Sequence, residues 1–207
     1  MAHVTLQDIF QAAFPAYERS HPLPWQVRRA AGAIMSCRTA VLGGHVQSCP
    51  DSYVSRIWYN SCKHRCCPQC SFLQIERWLA KQQVRLLDCD HYHVIFTIPH
   101  DLNPLWLDNM APMTSLLFTA MRDTLLELLG DPTYLGARPR LIAALHTWGQ
   151  TLVLHPHVHC LVTGAGRSPA DQWVGVRNGY LLPAGVVMAV FRDKLIASLD
   201  APLRVGY

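Results

Sequence analysis

A chain of 207 residues, half of them apolar and with mean hydropathy +0.10, can bury a sizeable core and is too apolar for a disordered segment. No apolar run reaches the ~18 residues of a membrane span. The opening Met1-Ala2-His3-Val4, followed by Gln7 and Asp8, is not a secretory signal, so a cytoplasmic protein is expected. The net charge of +4 is segregated: residues 1–90 hold ten Lys/Arg against six Asp/Glu, and residues 91–207 hold eight of each. A basic front half points to a polyanion partner, nucleic acid being the commonest.

In chain order, Leu6, Ile9, Phe10, Ala13 and Phe14 keep helical spacing and predict a helix over 4–16. Pro22 and Pro24 interrupt it. Pro24 suits the first turn of a second helix, which ends near Cys37. Residues 37–70 read as irregular, with a tight turn at Gly43-Gly44 and a short strand from Tyr53 to Tyr59. A helix follows Cys70, with Phe72, Ile75, Leu79 and Leu86 on one side and Arg77, Lys81 and Arg85 in a basic stripe on the other. Strands are predicted over 91–98, 141–148 and 156–163, with a further short one over 173–180. Helices are predicted over 113–129 and 183–199. Strands and helices in this mixed order predict an α+β fold.

Six of the eight cysteines fall between Cys37 and Cys70. Reduced surroundings make metal ligation or core packing the reading of such a cluster, rather than disulfides. Zinc takes four tetrahedral Cys/His ligands, and a pair such as Cys67-x-x-Cys70 can present two thiolates from one turn. Cys37, His45, Cys49, Cys62, His64 and Cys66 are the other candidates, enough for one site and room for two. Structural zinc would stabilise a segment poor in large apolar residues. It would also orient Arg38, Lys63, Arg65, Arg77, Lys81 and Arg85 toward DNA phosphates.

The second constellation is His155-Pro156-His157-Val158-His159-Cys160. On a strand, His157 and His159 share one face while Val158 points to the other, so both imidazoles can converge on one divalent ion. Individually satisfied histidines at a strand end are the alternative.

Several blocks together resemble a known family. Cys37-Arg38-Thr39-Ala40-Val41-Leu42-Gly43-Gly44-His45, Tyr59-Asn60-Ser61-Cys62 and Cys67-Pro68-Gln69-Cys70 look like the zinc-binding N-terminal domain of rolling-circle insertion-sequence transposases. His93-Val94-Ile95-Phe96-Thr97-Ile98-Pro99-His100, Leu145-His146-Thr147-Trp148-Gly149-Gln150 and the His155–Cys160 stretch resemble the core of the same family. The family is of the two-tyrosine, HUH type, where U is a hydrophobic residue. The resemblance implies a zinc-binding, DNA-binding domain over 1–90 and a ferredoxin-like HUH nuclease core over 91–207. It implies Mg²⁺ or Mn²⁺ held by His157 and His159, and a third ligand among His146, Gln150, His93 and His155. It further implies nicking and rejoining of single-stranded DNA through a phosphotyrosine link.

Two departures from the family pattern stand out. Ser52 and Cys66 occupy positions where the family usually shows Cys and His. The family's nucleophile is a tyrosine pair four residues apart, downstream of the HUH strand. None of the seven tyrosines here has that spacing, and neither Tyr180 nor Tyr207 fits. A core incomplete at its C-terminus, inactive alone, is therefore expected. The alternative is a non-catalytic DNA-binding fragment that modulates a full-length transposase. An amidohydrolase barrel needs ~250 residues, and a zinc deaminase needs a His-x-Glu that the sequence lacks.

Overall fold

The computed structural model describes residues 4–49 and 55–203. Ser52, together with the start of the expected 53–59 strand, lies outside them. Intrachain contacts divide the protein between Leu86 and Leu87 into two compact units.

The first unit opens with α1 (Leu6–Ser20), whose N-terminus is closed by a reciprocal capping box. The Asp8 amide donates to Thr5 Oγ1 (3.2 Å) and the Thr5 amide to Asp8 Oδ2 (2.8 Å). Helix α2 (Trp25–Ser36) packs on it. The Gln7 side-chain amide donates to the carbonyls of Met35 (3.0 Å) and Cys37 (2.8 Å), and Gln11 donates to Met35 (2.8 Å). These bonds satisfy carbonyls that the end of α2 leaves open. Strands β1 (Gly44–Ser48) and β2 (Ser55–Tyr59) pair antiparallel, His45 opposite Trp58. The sequence reading missed β1. The reversal occurs at Gly43, at φ +67°, and Gly44 already lies in the ribbon, where a Cβ would come within 2.5 Å of the Trp58 carbonyl oxygen. Helix α3 (Pro68–Gln83) begins with Pro68 in its first turn and takes Cys70 into that turn, so the helix starts earlier than expected and Arg85 lies beyond its end. The apolar side of α3 (Phe72, Ile75, Leu79) is exposed.

The second unit is α+β, built on one antiparallel sheet. Strand β5 (Leu154–Arg167) is central, flanked by β3 (His91–Thr97) and β4 (Arg138–Trp148); β6 (Trp173–Gly175) pairs with the far end of β5. Helices α4 (Asn103–Asp108) and α5 (Met110–Gly130) lie between β3 and β4, and α6 (Ala184–Leu203) follows β6. The order β3-α5-β4-β5-α6 is the ferredoxin-like βαββα succession. Period 2 divides the sheet into two faces. Phe96, Val158, Cys160 and Val162 point to one, where Leu117, Leu125 and Leu129 of α5 and Phe191 and Leu195 of α6 bury them. The other face carries histidines and is open: His93, Ile95, Thr97, Ala144 and His146 are all exposed.

Candidate metal centres

In the first unit, Cys37, Cys62, Cys67 and Cys70 bring their sulfurs to within 4.8 Å of one another. They come from three local devices. Cys37 caps α2, Cys62 follows β2, and Cys67 and Cys70 sit at the start of α3. Arg38 and Lys63, each immediately after a cysteine, hold positive φ (57° and 52°), which turns the chain back over the cluster. Such tight reversals give loops in which amides can face a sulfur, as the His64 amide does toward Cys62 Sγ (3.5 Å).

The spacing fits zinc. Four sulfurs at about 2.3 Å around one ion lie about 3.8 Å apart in a tetrahedron. Cys70 Sγ is 3.5 Å from both Cys37 Sγ and Cys62 Sγ. All four are free thiols, well beyond the roughly 2.05 Å of a disulfide. Cys37 and Cys67 are essentially without solvent exposure. Burial pushes the Cys62 thiol up to about 12. At Cys70 the raising effect of burial is outweighed by hydrogen bonds from Cys37 and Cys62, which bring it down to about 7. Thiolates are the form that binds zinc, so metal binding at such a cluster releases protons.

Among the described residues, no metal-capable group takes in His45, Cys49 or Cys66. Cys49 and Cys66 are exposed, His45 lies exposed on β1, and the Cys66 amide donates to His64 Nδ1 (3.2 Å). Arg38, Lys63, Arg65, Arg77, Lys81 and Arg85 are all exposed.

In the second unit, His146, His157 and His159 bring a ring nitrogen each to within 4.8 Å. Register explains the convergence. His146 on β4 pairs with His157 on β5, Ala144 pairs with His159, and Thr97 of β3 flanks His157 from the other side. Between the pairs His146–His157 and Trp148–Leu154 the register slips. Pro156, which has no N–H to give a ladder, falls in that irregular stretch and ends up buried.

Hydrogen bonds fix which nitrogen each ring presents. His157 Nδ1 lies 2.6 Å from the His155 carbonyl oxygen, which can only accept, so Nδ1 donates and in the neutral ring Nε2 carries the lone pair. His159 Nδ1 lies 2.7 Å from His93 Nε2. The two Nε2 atoms are 3.0 Å apart. Cis ligands about 2.1 Å from one octahedral ion would be about 3.0 Å apart, so the pair fits a shared cation. Of the candidate third ligands, the structure brings His146 into the cluster. His93 stands behind His159, and His155 turns to Thr97 Oγ1 (3.1 Å) and stacks with His100. Gln150 lies exposed just beyond the end of β4. Burial, and then the neighbouring imidazoles, hold His159 below the ordinary histidine value.

A strand-borne His-hydrophobe-His pair on the open face of a ferredoxin-like sheet, in a chain that also carries a four-cysteine cluster, defines an HUH-type protein with a zinc-binding N-terminal part. Comparison with known proteins agrees. Residues 9–98 match the family model described as "Transposase zinc-binding domain", and residues 141–206 match the model described as "Putative transposase". The chain belongs to the rolling-circle transposase family of bacterial insertion sequences. It is 41% identical over 195 residues to "Putative transposase y4qJ" of Sinorhizobium fredii, covering 93% of this chain and 49% of that protein. It is 33% identical over 142 residues to the transposase for insertion sequence element IS801 of Pseudomonas savastanoi pv. phaseolicola, covering 68% of this chain and 34% of that one. The chain therefore spans half or less of the length of these relatives. A conjugative relaxase, TrwC, solved in its metal-bound form with oriT DNA, matches at TM-score 0.43 and 16% identity, over 56% of this chain and 43% of that one. No helix among the described residues is long and apolar enough to cross a membrane.

Proposed function

We propose that this chain supplies the DNA-gripping and phosphate-polarising parts of a rolling-circle transposase. Residues 1–90 hold structural zinc and contact DNA, and residues 91–207 hold a divalent ion against a single-stranded element end. The observation that carries this reading is the convergence of His146, His157 and His159 on an open sheet face, with His157 and His159 both presenting Nε2. An ion bound there acts as a Lewis acid on a phosphoryl oxygen. Three imidazoles favour a first-row transition ion over Mg²⁺, which prefers oxygen ligands.

The chain's own residues do the positioning. His93 and the His155 carbonyl set the two ring orientations. Arg38, Lys63, Arg65, Arg77 and Lys81 place exposed positive charge for backbone contacts. These 207 residues contain no pair of tyrosines four apart, so the attacking hydroxyl lies outside them. The chain alone binds and polarises but forms no covalent link.

Fluorescently labelled single-stranded DNA tests this. Manganese should tighten binding, measured by anisotropy, and His157→Ala with His159→Ala should abolish the increment. No band shifted by covalent attachment should appear on a denaturing gel. Binding indifferent to manganese, or a covalent adduct with the chain alone, would overturn the reading. Adding an intact transposase separates rescue of cleavage from inhibition.

A further inference from the structure

We propose that Trp148 is a stacking platform for an unpaired base of the DNA strand engaged at the histidine cluster, a binding role beyond the metal ligands themselves. The proposal rests on the reading just given.

The indole is placed by the same strand that supplies a ligand. His146 and Trp148 are two residues apart on β4 and share a face; their rings are parallel within 2° with centroids 5.7 Å apart. His146 in turn sits 4.3 Å, centroid to centroid, from His159. A flat aromatic surface therefore begins where the three-histidine cluster ends.

Packing does not account for that surface. Trp148 is 54% exposed, whereas the core of this unit is filled from the opposite face of the sheet by Phe96, Val158, Cys160 and Val162. The adjoining turn adds to the exposed apolar area: Leu152 is 80% exposed and Val153 56%. The turn is nonetheless pinned, with the Gly149 amide donating to the Val153 carbonyl (3.0 Å) and the Leu152 amide to the Gly149 carbonyl (3.0 Å). His146 stacks against the ring system and still leaves Trp148 more than half exposed.

A large exposed indole beside a phosphate-binding site suits one ligand chemistry well. Every nucleobase has a π-face, and stacking on an aromatic side chain is strong and tolerant of sequence. In a duplex both faces of a base are covered by its neighbours, so such a platform engages only an unpaired strand. A base held on Trp148 would bring the phosphate next to it toward His146. The platform would thus select for single-strandedness and set which phosphate the cluster meets, without reading the base edge.

Three variants and one cross-link decide the matter. Trp148→Leu keeps apolar bulk but removes the π-face; it should weaken single-stranded DNA binding at least about fivefold. Trp148→Phe should retain most of the affinity, and Trp148→Ala should resemble Trp148→Leu. Manganese affinity, followed separately by calorimetry, should be unchanged in all three, which shows the histidine cluster intact. Oligonucleotides substituted with 5-bromouracil and irradiated should cross-link to the peptide containing Trp148, identified by mass spectrometry. Wild-type affinity in Trp148→Leu, or cross-links confined to other peptides, would overturn the proposal while leaving the transposase reading standing. Failure of the wild-type chain to bind single strands at all would overturn both, and would be visible before any variant is made.

Discussion

His93 Nε2 lies 2.7 Å from His159 Nδ1, with the two rings stacked at 4.9 Å and 11°. Strand register sets this up, since His93 on β3 pairs with Leu161, one strand-face step along β5 from His159. When His159 gives its Nε2 lone pair to a cation, its Nδ1 carries the proton and donates to His93, the partner arrangement that makes an imidazole a better ligand. Without a cation the chain can run the other way, His93 donating to His159 and His159 to His157. Replacing His93 should therefore act on metal affinity and not on the fold, because His93 is exposed. His93→Ala should lower manganese affinity about 10- to 100-fold, and His93→Gln, which keeps a hydrogen-bonding group, should recover part of it. Titration calorimetry at fixed pH reads both; equal affinity in His93→Ala and wild type would remove His93 from this role.

Neighbouring cysteines should behave differently. Cys67 is 1% exposed and joins the four-sulfur cluster, whereas Cys66 is exposed and lies outside it. Cys67→Ser should lose the ion held by Cys37, Cys62 and Cys70 and unfold the first unit, since structural zinc supplies folding energy directly. Cys66→Ser should keep that ion and the fold around it. Zinc content by atomic emission, together with circular dichroism, distinguishes the two; loss of the cluster's ion in Cys66→Ser would show that the sulfur set is drawn wrongly.

Gln7 ties three pieces of the first unit together. Its amide donates to the Met35 and Cys37 carbonyls, and its side-chain oxygen accepts from Gln69 Nε2 (3.0 Å). Each such bond contributes roughly 1 kcal/mol net, so Gln7→Ala should destabilise the first unit by about 1–2 kcal/mol and speed zinc loss to a chelator. A variant with unchanged zinc release would leave Gln7 as a bystander.

The sequence disclosed the periodic parts of this protein well and the connecting parts poorly. Alternation over 91–98 placed β3, and the structure bears the same alternation, with Phe96 and Ile98 buried and Ile95 exposed. The His157-Val158-His159 spacing put Val158 in the core for the same reason. The Cys67-x-x-Cys70 spacing marked one half of the cluster, but Cys37 lies 33 positions before Cys70, and spacing could not choose Cys37 and Cys62 from the other candidates. In the folded unit Cys37 ends α2, Cys62 follows β2 and Cys67 caps α3, placements that no residue-type preference announces. The strand β1 was missed because its only strong punctuation, Gly43-Gly44, signals the turn, while Gly44–Ser48 has no buried residue to give it a pattern. His146 could be a candidate from its family block, but its pairing opposite His157 depends on a register that only the folded sheet fixes. The 173–180 strand shortens to Trp173–Gly175, followed by turns in which Asn178 and Gly179 take positive φ.

Acid should weaken the second unit. Burial, reinforced by neighbouring imidazoles, lowers His159 and His155 below the ordinary histidine value of 6.5. As pH falls through 6.5, the unfolded chain takes up protons that the folded chain still refuses. The unfolded state then binds more protons, and stability drops with falling pH across the window beneath 6.5. Metal-free protein should show a lower urea midpoint at pH 5.5 than at pH 7.5, and His159→Gln should flatten the dependence. An equally steep dependence in the variant would assign the effect to other groups.

The basic residues of the first unit make a prediction about salt. Arg77 and Lys81 are exposed one helical turn apart on α3, so they lie on the same side of the helix. No ion pair among the described residues engages either. Contacts from such residues to phosphate release counterions, and each one lost should reduce the slope of log K against log salt by about one. Arg77→Ala with Lys81→Ala should therefore weaken DNA binding to a similar extent on unrelated sequences and flatten the salt dependence by about two. Measuring affinity at several salt concentrations on two unrelated oligonucleotides reads both quantities. An unchanged slope would place the DNA contacts of this unit elsewhere, and a loss confined to one sequence would make these side chains readers of bases rather than of the backbone.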